Sequence, residues 1–170
     1  MEEKLIEVET QDRIAIHTIT ALQTRELRAL ILRPDQTPDK MAFLGDETSD
    51  TVHLGAFKQK QLVGIVSIMH QAPKDFTGPQ SDKLWLLRGM ATVPEIRGQG
   101  YGAALVRSGC VYVAREQGIY LWCEARESAI GFYEKLGFAI RGNRFDLPNT
   151  GAHYRMWREI TADDVDYSFF

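Results

Sequence analysis

The sequence predicts a mixed α/β domain, with one central sheet carrying helices on its faces. Three observations predict it. Strand-like and helix-like runs follow one another in the order β-α-β-β-β-α-β-α-β-β, with room for a short extra helix after the first. The run Ile119 to Cys123 is five consecutive apolar residues, the pattern of a strand covered on both faces. A chain of 170 residues, 44% hydrophobic and 25% charged, has enough apolar surface for one core without disulfides or metals.

Arg13 to Ile19 alternates around Ile14 and Ile16 and predicts an edge strand. Thr20 to Leu32 predicts a helix whose apolar stripe is Leu22, Leu27, Leu30 and Ile31, with Glu26 in the same spacing and Pro34 blocking continuation. Arg33 to Asp50, broken by Pro34, Pro38 and Gly45, predicts a loop or short helix. Val52 to Phe57 and Leu62 to His70 predict a hairpin closed by Lys58-Gln59-Lys60-Gln61, and Lys83 to Val93 a third strand ended by Pro94. Gly100 to Gln117 predicts a helix with Val106, Cys110, Val113 and Ala114 inward. Ser128 to Leu136 predicts another, on Ala129, Phe132, Tyr133 and Leu136, with Gly137 in the left-handed position after its end. Phe138 to Leu147 and His153 to Ile160 predict closing strands. The domain is expected to span residues 13–160, with an N-terminal extension (1–12) and an acidic, then aromatic tail (161–170). Phe169-Phe170 makes a homodimer an expectation.

Charge and cysteine content exclude several classes. Twenty Lys and Arg against 23 Asp and Glu give a net charge of -3, so no whole-chain basic footprint for nucleic acid exists. No run approaches the roughly 18 apolar residues of a membrane helix. Met1-Glu2-Glu3-Lys4 has no apolar signal core, and a cytoplasmic location without a membrane partner is expected. Cys110 and Cys123 read as buried thiols, and no Cys or His spacing suggests a metal site.

The segment Arg97-Gly98-Gln99-Gly100-Tyr101-Gly102 follows a strand and opens a helix. Its glycines permit positive φ and close backbone approach, its N–H groups converge at a helix N-terminus, and Arg97 adds positive charge. Together these suit a diphosphate-bearing ligand. The Gly-Lys-Ser/Thr ending of a nucleotide P-loop is absent. Gly98, Gly100 and Ala103 satisfy a dinucleotide fingerprint, but Pro94 to Arg97 intervene after the strand and too little chain follows for further βα units. A glycine-rich turn without a ligand is the remaining alternative.

Val93 to Gly102 resembles the acetyl-CoA signature R-x-x-G-x-G/A of the GNAT superfamily of N-acetyltransferases, carried by Arg97, Gly100 and Gly102. Ala129 to Phe138 resembles that family's A-x-x-F-Y-x-x-x-G-F helix, and the likeness spans roughly Arg13 to Ile160. Arg88-Gly89-Met90, His153 to Trp157 and Leu32 to Gln36 resemble a subgroup of small bacterial-type members.

The resemblance implies a mostly antiparallel sheet splayed between two parallel strands, with acetyl-CoA as co-substrate and a small-molecule or peptide amine as acceptor. It implies that the pantetheine arm pairs with free backbone groups at Met90, Ala91, Thr92 and Val93, and the pyrophosphate with Gly98, Gln99, Gly100, Tyr101 and Gly102. It implies an oxyanion donor at the N–H of Met90 or Ala91. Tyr133 falls where the family places its general acid, with Phe132 beside the cofactor. Arg126 stands where many members have an Asn that holds the pantetheine arm, and is expected to reach the cofactor or an acidic part of the substrate. Glu124 is the first candidate for general base, ahead of His70 and His53. Asp35, Asp39, Asp46, Glu47 and Asp50 of the first loop are candidates to attract a cationic amine. A non-catalytic acyl-CoA-binding module on the same fold is the alternative function.

Overall fold

The structure is a computed structural model that describes residues 14–166. β1 (Ala15–Ile19) leads into α1 (Ala21–Leu27), which Thr20 caps: its hydroxyl accepts from the Gln23 N–H (3.2 Å), and its own N–H donates back to Gln23 Oε1 (2.8 Å). A π-helical turn, Arg28–Leu32, continues α1. The hairpin is β2 (Thr51–Lys58) and β3 (Gln61–His70), followed by β4 (Leu84–Thr92), α2 (Tyr101–Arg115) and β5 (Tyr120–Arg126). Then come α3 (Ile130–Lys135), β6 (Ala139–Ile140), β7 (Phe145–Leu147), β8 (Gly151–Glu159) and α4 (Ala162–Asp166). No helix among the described residues is long and apolar enough to cross a membrane.

The eight strands form one sheet in the order β1-β2-β3-β4-β5-β8-β6, with β7 also on β8. Every pairing is antiparallel except β4 with β5. On one face Leu87, Leu121, Cys123 and Ala125 pack with α2 and with Tyr133 of α3. On the other, Leu84, Leu86, Trp122 and Trp157 form a second cluster, and Ile19 and Leu27 pack with Ile65 and Ala91. Gly109 lets α2 lie close on β3, where an added Cβ would stand 2.8 Å from Ile68 Cδ1.

Two expectations change. The stripe read for α1 is rotated: Leu22 and Leu30 are 67% and 63% exposed, whereas Ala21, Thr24, Leu27, Arg28 and Ala29 are buried. The inward face is built around Arg28, which a hydrophobic count assigns to solvent. The single strand Phe138 to Leu147 is interrupted between β6 and β7, where Gly142 takes φ +98° and Arg141 N–H still donates to Arg155 O (3.0 Å). At the start of the tail α4 packs on α2, and Asp164 pairs with Arg158 at 2.9 Å. The extension and Phe169-Phe170, on which the dimer expectation rests, lie outside the described residues.

Candidate active site

β4 and β5 pair in parallel only from Leu84 with Tyr120 to Leu86 with Trp122. Beyond that point β4 stays with β3 and β5 stays with β8 as far as Arg126, so the two strands part. A cleft of about 1010 Å³ opens between them, lined by Met90, Arg97, Glu124, Arg126, Phe132 and Tyr133 among others. Six of the sequence-derived site residues therefore share one cavity.

A β-bulge shapes the β4 wall. Ser67 faces Arg88 and Ile65 faces Ala91, so β4 carries one extra residue around Gly89 and Met90, with Gly89 at φ +64°. Backbone polar groups on a strand point alternately to its two edges. Val93 N–H donates to Val63 O (2.9 Å), which turns the backbones of Ala91 and Val93 toward β3 and those of Met90 and Thr92 toward the cleft. Arg97 Nη2 donates to Thr92 O from that side (3.1 Å). The four free residues expected on β4 reduce to two, and the candidate oxyanion donor narrows to Met90 N–H.

The loop above β4 is preset for an anion. Gly98 and Gly100 stand at φ +78° and +90°, a region closed to most side chains, and a Cβ at Gly98 would meet nothing within 4 Å. The N–H groups of Gly98, Gly100, Tyr101 and Gly102 have no acceptor among the described residues, and α2 begins without a side-chain cap. A Cβ on Gly102 would lie 3.3 Å from the Phe132 ring, so the first turn of α2 rests on the cleft wall. Gln99 instead turns back, donating from Nε2 to Glu95 O (3.1 Å).

Tyr133 is 6% exposed, between Phe132 and Phe138 at ring separations of 5.0 and 5.3 Å. Gly137 (φ +92°) closes α3, and Phe138 N–H donates to Tyr133 O (3.1 Å), fixing the turn that carries the ring. Burial, and next the neighbouring Cys123, push the phenol well above its usual value. The hydroxyl has no hydrogen-bond partner among the described residues, and Tyr133 is part of the cleft lining. It stays protonated at neutral pH. Cys110 and Cys123 are free and buried, and burial raises Cys110 to about 12, which removes thiol nucleophilicity.

Glu124 and Arg126 stand on the opposite face of β5, the face of Trp122. Glu124 Oε1 is 3.9 Å from Arg155 Nη2, and Arg155 also holds Asp75 at 2.9 Å. Arg126 Nη2 donates to Leu32 O (3.2 Å) and ties β5 to the π-helical turn.

His53, His70 and the acidic loop do not enter the cleft. His53 is buried: the Ser67 hydroxyl donates to its Nδ1 (2.7 Å), leaving Nε2–H for Asp46 O (2.9 Å). His70 stacks on Trp85 (4.7 Å) near Asp50 (3.4 Å), and neither histidine lines the cavity. Asp46 turns inward, accepting from Arg28 at 2.6 and 3.0 Å, from Arg88 at 3.2 Å and from Phe43 N–H at 2.8 Å. Asp35, Asp39, Glu47 and Asp50 do not line the cleft.

Several cleft residues were missed in the sequence: Arg88, Arg155, Asp75, Phe43 and His153, whose Nδ1–H donates to Gly151 O (2.9 Å). Only the alternation along β8, which puts His153 and Arg155 on one face, marks any of them.

Residues 49–140 match the family model described as the acetyltransferase (GNAT) domain. The chain is 32% identical over 147 residues to the uncharacterized N-acetyltransferase YitI of Bacillus subtilis strain 168, covering 86% of this chain and 97% of that protein. Its fold resembles the crystal structure of an aminoglycoside 6'-N-acetyltransferase complexed with coenzyme A (TM-score 0.69, 20% identity, 86% of this chain and 97% of that one). It also resembles the aminoglycoside 6'-N-acetyltransferase of Enterococcus faecium (TM-score 0.67, 18% identity, 86% and 97% coverage).

Proposed function

The chain belongs to the GNAT acetyltransferase family and is an N-acetyltransferase, and from that premise we propose that acetyl-CoA and a primary amine meet in the β4–β5 cleft. The parting of the two strands, with Tyr133 between them, carries this reading. The site suits the co-substrate: the unpaired N–H groups of Gly98, Gly100, Tyr101 and Gly102 with Arg97 match a diphosphate, and the open edge at Met90 and Thr92 matches amides that add as a strand would.

Acetyl-CoA supplies the acetyl group as an activated thioester. Met90 N–H is placed to stabilise negative charge on the carbonyl oxygen as the amine attacks and the C–N bond forms. Tyr133, kept protonated by its burial, gives its proton to the departing sulfur as the C–S bond breaks. Glu124, on the acceptor side, takes the proton that the amine must lose and returns it through solvent.

The test is a pair of measurements. Acetyl-CoA at about 100 times its Kd should stabilise the protein by about 2.7 kcal/mol, a Tm rise of roughly 5–10 °C, while NAD should not. Thiol release should then follow addition of an amine. A purely acyl-CoA-binding module would show the shift without thiol release, and no shift with coenzyme A would overturn the reading.

A further inference from the structure

We propose that the amine acetylated here carries an anionic group, a carboxylate or a phosphate, close to its nitrogen. This rests on the acetyl-transfer reading of the same cleft.

The half of the cleft opposite Tyr133 is cationic. Arg33, Lys74, Arg88, Arg126 and Arg155 line it, against two carboxylates, Asp75 and Glu124. Arg155 takes both of those carboxylates, at 2.9 and 3.9 Å. Arg33, Lys74 and Arg126 have no carboxylate within 4.0 Å among the described residues. Arg88 must share Asp46 with the buried Arg28, and its Nε is buried without a partner. Burial and the facing Arg28 charge both pull Arg88 below the usual guanidinium value despite Asp46, so this wall is short of anions.

The order of charges along β5 adds a direction. Glu124 and Arg126 share one face two residues apart, roughly 7 Å along a strand. A carboxylate for the amine and a guanidinium fork for an oxyacid, spaced this way, match a small dipolar acceptor. A polycation would meet the uncompensated guanidinium groups instead, and no first-loop carboxylate is there to receive it.

The test uses the full chain with acetyl-CoA and five probes. These are a mixture of the twenty L-amino acids against the same mixture as amides, and O-phosphoethanolamine against ethanolamine, with spermidine as the polycation. Thiol release and the added Tm shift in saturating coenzyme A are read together. The expected result is a kcat/KM at least about tenfold higher for an anionic probe than for its uncharged match. Whether the amino acids or phosphoethanolamine respond tells carboxylate from phosphate. Arg126→Gln should collapse the ratio, and Arg126→Lys should keep most of it. Equal or faster turnover of the amides, ethanolamine or spermidine overturns the inference, as does the absence of any response to both anionic probes. Absence of stabilisation by acetyl-CoA alone overturns the acetyl-transfer reading, and this inference with it.

Discussion

Replacing Tyr133 by Phe is expected to lower kcat about 100-fold, the usual size of a lost general acid, while the acetyl-CoA Kd stays within about twofold. The ring remains, so its packing against Phe132 and Phe138 and the closure of α3 survive; only the hydroxyl is gone. The pH profile separates this role from a packing effect. Burial holds the phenol above its ordinary value, so Tyr133 stays a donor and the wild-type rate should not fall on the alkaline side below about pH 10. The variant should instead depend on the leaving group, with acyl donors of more acidic thiols recovering most of the rate. Steady-state kinetics over pH with two thioester donors reads both. A variant within about threefold of wild type removes Tyr133 from the chemistry.

Asp46→Ala is expected to destabilise the protein by about 3–5 kcal/mol, the penalty for leaving a buried charge uncompensated. Arg28 is fully buried, its guanidinium donates to Asp46 twice, to Met41 O (2.9 Å) and to Ser67 Oγ (2.9 Å), and Arg88 shares the same carboxylate. Burial alone would raise the Asp46 pKa. Bonds from Arg28 and from Phe43 N–H, with the charges of Arg28 and Arg88, outweigh that and hold it below the carboxylate range. A carboxyl depressed on folding stabilises fully above its unfolded value and loses that contribution as pH falls through the folded one. The gap in Tm between wild type and variant should therefore be full at neutral pH and shrink below about pH 4. The site would feel the change too. The same network holds Phe43 against Arg28 (4.0 Å) on the cleft wall and fixes Arg88 beside the Gly89 bulge.

The donor half of the cleft was legible because its devices leave local marks. Positive φ calls for glycine at positions 98 and 100, and an aromatic pair on a helical stripe followed by Gly-Phe announces α3 and its closing turn. The acceptor half left few marks because it is assembled from distant segments. Arg28 and Asp46 are 18 residues apart, Arg88 and Asp46 are 42, and Arg155 and Asp75 are 80. In the sequence each reads as a solvated charge. Past the apolar run Ile119 to Cys123, Glu124 and Arg126 alternate with the buried Ala125 at the end of β5. In the π-helical turn that continues α1, Arg28 is buried while Leu30, which a hydrophobic count places inward, is exposed, and the error followed from treating charge as exposure.

This division accounts for a chain of net charge -3 with a cationic cleft. Asp46 of the first loop balances Arg28 and Arg88 from behind, the other acidic residues of that loop stay outside, and the cations line the cleft. Total charge therefore says little about the ligand, while its placement along β4, β5 and β8 says much more.

Backbone hydrogen exchange with and without coenzyme A tests the central claim most directly. On this account, binding slows exchange at Met90 and Thr92 and at Gly98, Gly100, Tyr101 and Gly102, because those N–H groups gain acceptors, whereas Gln99 N–H is already bonded to Ile96 O. Exchange at Ala91 and Val93, already turned toward β3, and through the β2–β3 hairpin should hardly change. Protection centred instead on the smaller groove lined by Thr18, Val52, Ser108 and Tyr112, with the β4 edge and the glycine loop unaffected, would contradict the placement of the cofactor and the roles built on it.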